Sequence, residues 1–279
     1  MERLSGKRYG IILALIVSMA FFAVFSFISG IKTEKNAAKA SGRSAYAVIR
    51  TDTLQVLLSD NADARLPMAS TTKIMSALIA LENCKTDETV VIDKRSVGIE
   101  GSSVYLREGE KLTVEDLLYC LMLRSGNDAA TALALHVAGS VEDFAEMMNI
   151  RAESMGLVNT HFVNPHGLHD DNHFTSARDL AVISATAMNN HLFANIVKTK
   201  VKTVGEGESK RTLANKNKML SLYDNANGVK TGYTKKSGRC LVSSATKNGV
   251  TLVCVVLNVG DTYGLSGALL DKGFNMIPG

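Results

Sequence analysis

Apolar and polar positions change rhythm several times along this chain, and each change predicts an element. Residues 1–8 are polar, with Arg3, Lys7 and Arg8, and the run from Tyr9 to Ile31 then contains no charge. Those 23 residues are long enough to cross a bilayer as a helix. Residues 1–31 are therefore read as an N-terminal signal peptide or signal anchor. An Ala38-Lys39-Ala40 cleavage pattern lies downstream, while the length of the apolar run favours the anchor. "KTEKNAAKASGR", 32–43, is polar and rich in small residues, which reads as a linker.

Beyond the linker, "SAYAVIR" and "LQVLLSD" read as two strands joined by a short turn near Asp52. A nearly all-apolar helix opens within "PMASTTKIMSALIAL", 67–81, with Ser70 as its N-cap. The middle of the chain is helical and carries repeated Ser/Thr-x-x-Asp/Glu start signals at Thr113 and Asp116, Ser140 and Asp143, and Ser176 and Asp179. Gly139 and Gly156 read as stops, and 141–155 as an amphipathic helix. After about residue 200 the pattern returns to strands, "GVKTGYT", "GRCLVSSAT" and "VTLVCVVLNV", and closes with a helix around 265–276. Strands at both ends with helices between them predict an α/β (α+β) fold. Its central, mostly antiparallel sheet is built from both ends of the chain, with flanking helices and an inserted helical subdomain at roughly 85–200. A cleft between sheet and helices is the natural site.

Composition narrows the classes. The 279 residues are 46% hydrophobic and 21% charged, with a formal charge of +4. No dense Lys/Arg block or basic-aromatic interleaving is present, so nucleic acid is not an expected partner. Cysteines 84, 120, 240 and 254 show no CxxC and no zinc spacing. A two-residue turn at Asn248-Gly249 would pair Lys247 with Val250 and set Cys254 opposite Ser243. Cys240 then points to the other face, which excludes a disulfide with Cys254. All four are read as small core residues.

The helix at 70–81 places a cation in its first turn, Lys73, where a capping box would have Glu or Gln. Ser70 and Lys73, three apart, share a helical face. Burial and the positive helix end both push a lysine toward the neutral amine, which can take a proton from a serine hydroxyl. The bland alternative is a lysine that snorkels to solvent beside an ordinary cap. S-x-x-K also occurs at Ser29–Lys32 and Ser244–Lys247, but only Ser70–Lys73 opens a helix. Two further motifs give the pair context. Ser125-Gly126-Asn127 interrupts the helical stretch between "VEDLLYCLMLR" and "DAATALALHVA", and Lys230-Thr231-Gly232 lies on an expected strand. Ser59-Asp60-Asn61 and Lys236-Ser237-Gly238 match the same patterns but fall in the wrong order or element. Nucleophile, S-x-N loop and K-T-G strand, in that order, are the set shared by penicillin-binding proteins and class A β-lactamases.

On these motifs, and on the blocks "LPMASTTKIMSALIALE", "GSSVYLREGEKLTVEDLLYCLMLRSGNDAATALA", "NPHGLHDDNHFTSARDLAVI" and "NGVKTGYTKKSGRCLVSSA", the chain resembles the low-molecular-mass penicillin-binding proteins that act as D-alanyl-D-alanine carboxypeptidases, serine peptidase family S11. The likeness runs over about residues 44–276. It implies a penicillin-binding, β-lactamase-like transpeptidase fold over 44–279, and extracytoplasmic removal of D-alanine from peptidoglycan stem peptides ending in D-Ala-D-Ala. It implies β-lactam antibiotics as covalent inhibitors, and neither cofactor nor metal. Ser70 would be the acylated nucleophile and Lys73 its base. Ser125 would relay a proton to the leaving D-alanine, Asn127 would hold the substrate amide, and Lys230 and Thr231 the terminal carboxylate. Backbone N–H groups of Ser70 and Tyr233, next to Gly232, would form the oxyanion hole. Tyr233 stands where many relatives carry histidine, and Lys216 matches a basic position near the family cleft. Longer relatives add a C-terminal β-domain, which is not expected here, and membrane attachment would come from residues 9–31 if uncleaved.

Three rival readings stand beside this one. A β-lactamase needs an additional glutamate, and between Asn127 and Lys230 Glu146 and Glu153 fall on the expected solvent face of helix 141–155. A metal site could use His161, His166, His169 and His173 with Asp170 and Asp171, although the segment reads as a turn-rich loop beside the cleft. A non-catalytic wall-binding protein would have no need of Lys73. Carboxypeptidase and D,D-endopeptidase activities share the motifs.

Overall fold

The computed structural model describes residues 44–277. The segments read as leader (1–31) and linker (32–43) lie outside the described residues. The first two strands, β1 (Ala45–Arg50) and β2 (Val56–Asp60), form the expected antiparallel hairpin, with a bulge between Val48 and Ile49. The last three, β7 (Ala226–Thr234), β8 (Gly238–Lys247) and β9 (Val250–Leu257), form an antiparallel meander. β1 pairs with β9, which gives one five-stranded sheet of order β2-β1-β9-β8-β7. Both ends of the chain thus meet in one sheet, with β7 at its edge.

The sheet is covered on both faces, which explains why β9 is a continuous apolar run rather than an alternating one. Ala47, Ile49, Val242, Val253 and Val255 face a large core shared with the helices. Those helices are α1 (Lys73–Asn83), α2 (Val114–Leu123), α3 (Asn127–Ala138), α4 (Val141–Ser154), α5 (Ala177–Met188) and α6 (His191–Lys198). Val48, Leu241, Leu252, Cys254 and Val256 face a smaller core closed by Leu269 and Leu270, which follows the short α7 (Met219–Leu222) and belongs to α8 (Thr262–Asn275). Ser243 pairs with Cys254 and Lys247 with Val250, across Asn248 and Gly249 at φ +51° and +78°. Those left-handed values fit a type I′ turn and fix the register. Cys240 and Cys254 consequently sit in different cores, and all four thiols are free.

Thr113, Ser140 and Ser176 cap α2, α4 and α5 by accepting the N–H of Asp116, Asp143 and Asp179. Thr113 forms the full capping box. Gly139 and Gly156 follow α3 and α4 with left-handed φ, as stops should. Three expectations differ. The last helix starts at Thr262 rather than 265, because the Asp261 side chain accepts the Gly264 N–H. Two small sheets, β3 (Thr89–Val91) with β4 (Lys111–Thr113) and β5 (Val201–Val204) with β6 (Arg211–Ala214), are too short for any periodicity to show. Cys84 is half-buried at the C-cap of α1 and packs against the edge of the large core rather than inside it.

Candidate active site

The Ser70 segment is not the regular helix start that the sequence suggests. Ala69–Thr72 forms a 3-10 turn and the α-helix begins only at Lys73, so Ser70 does not cap it. The hydroxyls of Thr71 and Thr72 donate to the carbonyls of Met68 (2.6 Å) and Ala69 (2.7 Å). Such local side-chain bonds compete with helical ones and hold the tighter turn. Ala69 sits at φ +48°, which turns the chain so that Ser70 is left half-exposed.

Lys73 is fully buried. Its Nζ lies 3.1 Å from Ser70 Oγ, 2.7 Å from Asn127 Oδ1 and 2.6 Å from the His166 carbonyl. Burial first, then the positive charges of Lys230 and Lys216, hold its pKa well below the ordinary 10.5, against the pull of Asp128. Asn127 Nδ2 already donates to the Glu100 carbonyl, so Oδ1 is an acceptor only. A neutral lysine amine has two N–H groups and one lone pair. The two short contacts take the N–H groups, and the lone pair is left for the Ser70 hydroxyl. In the neutral form Ser70 Oγ–H would donate and Lys73 Nζ accept, whereas in the charged form Nζ–H donates to Ser70 Oγ.

Asn127 opens α3, where its own N–H donates to the Ser102 carbonyl at 2.7 Å. Both ends of its side-chain amide are engaged within the protein, by Lys73 and the Glu100 carbonyl, so it positions Lys73. Ser125 is buried and held at φ +64° in the break between α2 and α3. Asp128 is buried too. Its carboxylate accepts the N–H groups of Val104, Leu106 and Ala129 and the Ser103 hydroxyl, fixing the loop that follows Ser102.

The third segment is the edge strand β7. A Cβ on Gly232 would stand 3.1 Å from the Met68 carbonyl and 3.2 Å from the Ser70 nitrogen, so the strand backbone passes directly against the nucleophile turn. Lys230 is buried, and its Nζ donates to the Thr231 carbonyl at 2.9 Å. Burial, then Lys216, brings its pKa down to about 7. Thr231 is half-buried and the Tyr233 side chain exposed. Lys216 Nζ donates to Ser102 Oγ at 3.1 Å. The structure thus brings Ser70, Lys73, Asn127, Lys230 and Gly232 around one turn, with Ser125, Thr231 and Tyr233 on the adjoining break and strand.

The histidine-rich segment has a part that its composition did not disclose. Asn164 Oδ1 accepts the N–H groups of His166 and Gly167, and this folds the loop so that the His166 carbonyl meets Lys73. Gly167, at φ +89°, packs so closely on Ala69 that a Cβ would fall 1.9 Å from its carbonyl oxygen. The imidazoles serve the loop itself. His173 Nδ1 accepts the Val163 N–H. Because Thr72 Oγ1 spends its proton on Ala69, His173 Nε2–H must donate to that oxygen, at 2.8 Å. Burial brings the pKa of both His166 and His173 down to about 3, so both rings are neutral. His161 Nδ1 contacts the Asn172 carbonyl, and His169 pairs with Asp171. Glu146 and Glu153 are exposed on α4.

A protein-family model described as D-alanyl-D-alanine carboxypeptidase matches residues 32–261. A D-alanyl-D-alanine carboxypeptidase of Streptomyces sp. strain K15 is 40% identical over 219 residues, which are 72% of this chain and 75% of the relative. The DacF carboxypeptidase of Bacillus subtilis is 35% identical over 215 residues, 75% of this chain. The chain spans about half the length of that relative (55%) and of the Escherichia coli DacC enzyme (53%). Among solved structures, a mutant Streptomyces K15 DD-transpeptidase superposes with a TM-score of 0.79 at 34% identity, covering 83% of this chain and 97% of that one. A D-alanyl-D-alanine carboxypeptidase of Mycobacterium tuberculosis superposes at 0.80 and 31% identity, covering 84% and 91%. A family match over most of the described chain, joined to a buried lysine beside a serine on a strand-braced turn, means that this chain belongs to the D-alanyl-D-alanine carboxypeptidase family of serine peptidases, S11.

Proposed function

We propose that the protein is an extracytoplasmic serine-type D-Ala-D-Ala carboxypeptidase that removes the terminal D-alanine from peptidoglycan stem pentapeptides and is acylated by β-lactams. The carrying observation is Lys73, fully buried and 3.1 Å from Ser70 Oγ, with both of its N–H groups committed elsewhere. Ser70 attacks the penultimate D-alanine carbonyl and gives its proton to Lys73. The developing oxyanion lies between the backbone N–H groups of Ser70 and Tyr233, where strand and turn approach most closely. Ser125 passes a proton to the leaving D-alanine amine, and water then releases the tetrapeptide. The terminal carboxylate docks at Thr231 and Lys230, and its arrival favours the charged form of that lysine. β7 is an edge strand, so the peptide can lie beside it as an added strand. Residues 9–31, if retained, would tether the enzyme to the membrane.

The test is the intact mass of the purified protein with benzylpenicillin over time, beside Ser70→Ala, together with D-alanine release from a pentapeptide ending in D-Ala-D-Ala. A stable single adduct that the variant lacks, with D-alanine released, is the expected result. An adduct that vanishes as drug is consumed would mark a β-lactamase, and no adduct on folded protein would remove Ser70 as nucleophile.

A further inference from the structure

The helices α1 and α3 carry Lys73 and Asn127 at their N-terminal ends, and their C-terminal ends meet in a second cluster of chemically distinct side chains. Cys84 is the C-cap of α1, His136 lies in the last turn of α3, and Glu88 closes the turn that leads from α1 into β3. Cys84 Sγ, a Glu88 carboxylate oxygen and a His136 ring nitrogen all lie within 4.8 Å of one another. His136 Nε2 and Glu88 Oε2 are 3.2 Å apart. The cluster is about 16 Å from Lys73 along α1, so it takes no part in the chemistry at Ser70.

We propose that these three side chains bind a zinc-class divalent cation, with solvent as the fourth ligand. Thiolate, imidazole and carboxylate form the mixed donor set that zinc takes in proteins. Zinc bonds of about 2.0–2.3 Å in tetrahedral geometry set donor atoms about 3.3–3.6 Å apart. The histidine and glutamate, 3.2 Å apart, are within about 0.1 Å of that spacing, and the thiol, within 4.8 Å of both, would have to close on them by rotation of its side chain. The frame is fixed by backbone bonds. Cys84 N–H donates to Ala80, and the carbonyls of Thr86 and Glu88 accept the N–H groups of Glu115 and Val114. The second oxygen of Glu88, Oε1, is held by the Lys85 N–H at 2.9 Å. An ion pair between His136 and Glu88 would explain two of the three groups and packing at the core edge the third, but neither requires the thiol to stand within 4.8 Å of both donor atoms. Burial and the neighbouring Glu88 both disfavour a bare Cys84 thiolate, which argues against a free nucleophile. On binding, the S–H bond breaks, its proton goes to solvent and the sulfur bonds to the metal. The ion would tie the far ends of the two helices that position Lys73 and Asn127.

The test is titration of the full-length protein, freed of metal, with Co²⁺ and then Zn²⁺, beside Cys84→Ser and His136→Gln. Benzylpenicillin acylation serves as the folding control, and all three proteins should retain it. The expected result is one equivalent of Co²⁺ with a thiolate-to-cobalt charge-transfer band, displaced by Zn²⁺. Zn²⁺ at about a hundred times its Kd should raise Tm by roughly 5 °C or more. Both variants should lose the band and the Tm shift. Because the other three thiols are at most 2% exposed, such a band can come only from Cys84. No charge-transfer band, or a Tm shift that survives in either variant, would overturn the proposal. Neither result bears on the assignment of Ser70.

Discussion

Replacing Gly167 with alanine tests the packing behind the nucleophile more sharply than replacing any charged group. The new Cβ would stand 1.9 Å from the Ala69 oxygen, 2.4 Å from its carbonyl carbon and 2.8 Å from Thr72 Oγ1. Unbonded carbon and oxygen approach to about 3.3 Å, so the contact must open by about 1.4 Å. Two of the three atoms are backbone and cannot rotate away. If the loop withdraws, the His166 carbonyl leaves Lys73. If the turn yields, Ser70 moves with Ala69. The left-handed φ adds about 1–2 kcal/mol and overpacking about 1–3 kcal/mol, so the loss of stability should be about 2–5 kcal/mol. At 2–4 °C per kcal/mol for a domain of this size, Tm should fall by roughly 4–20 °C. A misplacement of this size should also slow acylation about 100-fold. Gly156→Ala is the control, since its φ is +73° and nothing lies within 4 Å of the new methyl. It should lose only about 1–2 kcal/mol and acylate normally. Thermal unfolding and the second-order rate constant for benzylpenicillin, measured on both variants, decide the matter. Gly167→Ala acylating like the parent, with a Tm loss no larger than Gly156→Ala, would refute the bracing of Ser70 by this loop.

Lys216→Ala removes a positive charge that lowers the pKa of both Lys73 and Lys230. The pH profile of acylation should then keep its shape while both limbs move to higher pH, the falling limb starting from about 7 where free Lys230 loses its proton; an unmoved profile would deny the coupling. His166 and His173 have folded pKa values of about 3 against an ordinary 6.5, so between those values the unfolded chain binds protons that the folded chain does not. Stability should therefore fall as pH drops from 6.5 to 3, and His173→Gln should reduce that slope by about one proton in denaturant titrations; an identical slope would mean that His173 titrates in the fold. Asp128→Ala strands the N–H groups of Val104 and Leu106, each at about 1–3 kcal/mol if left buried, so urea unfolding should show a loss of at least 2 kcal/mol or so; a near-neutral variant would mean that the loop finds other acceptors.

What the sequence discloses here is whatever depends on side-chain identity and short spacing. The caps at Thr113, Ser140 and Ser176, the stops at Gly139 and Gly156 and the register across Asn248-Gly249 are all of this kind. Each is decided by a few adjacent residues, so tertiary context has little chance to override it. The meeting of the first and last strands of the described residues in one sheet is legible from element order alone. The turn at Ser70 was not, because a serine before an apolar run signals an N-cap equally well. What decides against it is the competition of Thr71 and Thr72 hydroxyls for their own backbone. β3 and β4, at three residues each, are shorter than one full alternation can establish.

The least legible contact is also the one that gives the site its chemistry. The oxygen that holds Lys73 most closely belongs to the backbone of His166, 93 positions away, and a carbonyl carries no residue identity for a motif to display. The imidazole is the conspicuous metal candidate of this segment, yet the ring only serves the loop, while the peptide group behind it holds the Lys73 amine. The same reasoning explains why a cation can occupy the first turn of α1. Lysine there opposes the helix dipole and suffers full desolvation, and Lys230 and Lys216 add repulsion, which together outweigh the pull of Asp128 toward the charged form. Two acceptors then fix the neutral amine in one orientation. Removing either acceptor would leave the amine buried but free to turn its lone pair away from Ser70. The carbonyl of His166 and the amide of Asn127 thus decide where the amine points, and burial decides that its charge is disfavoured.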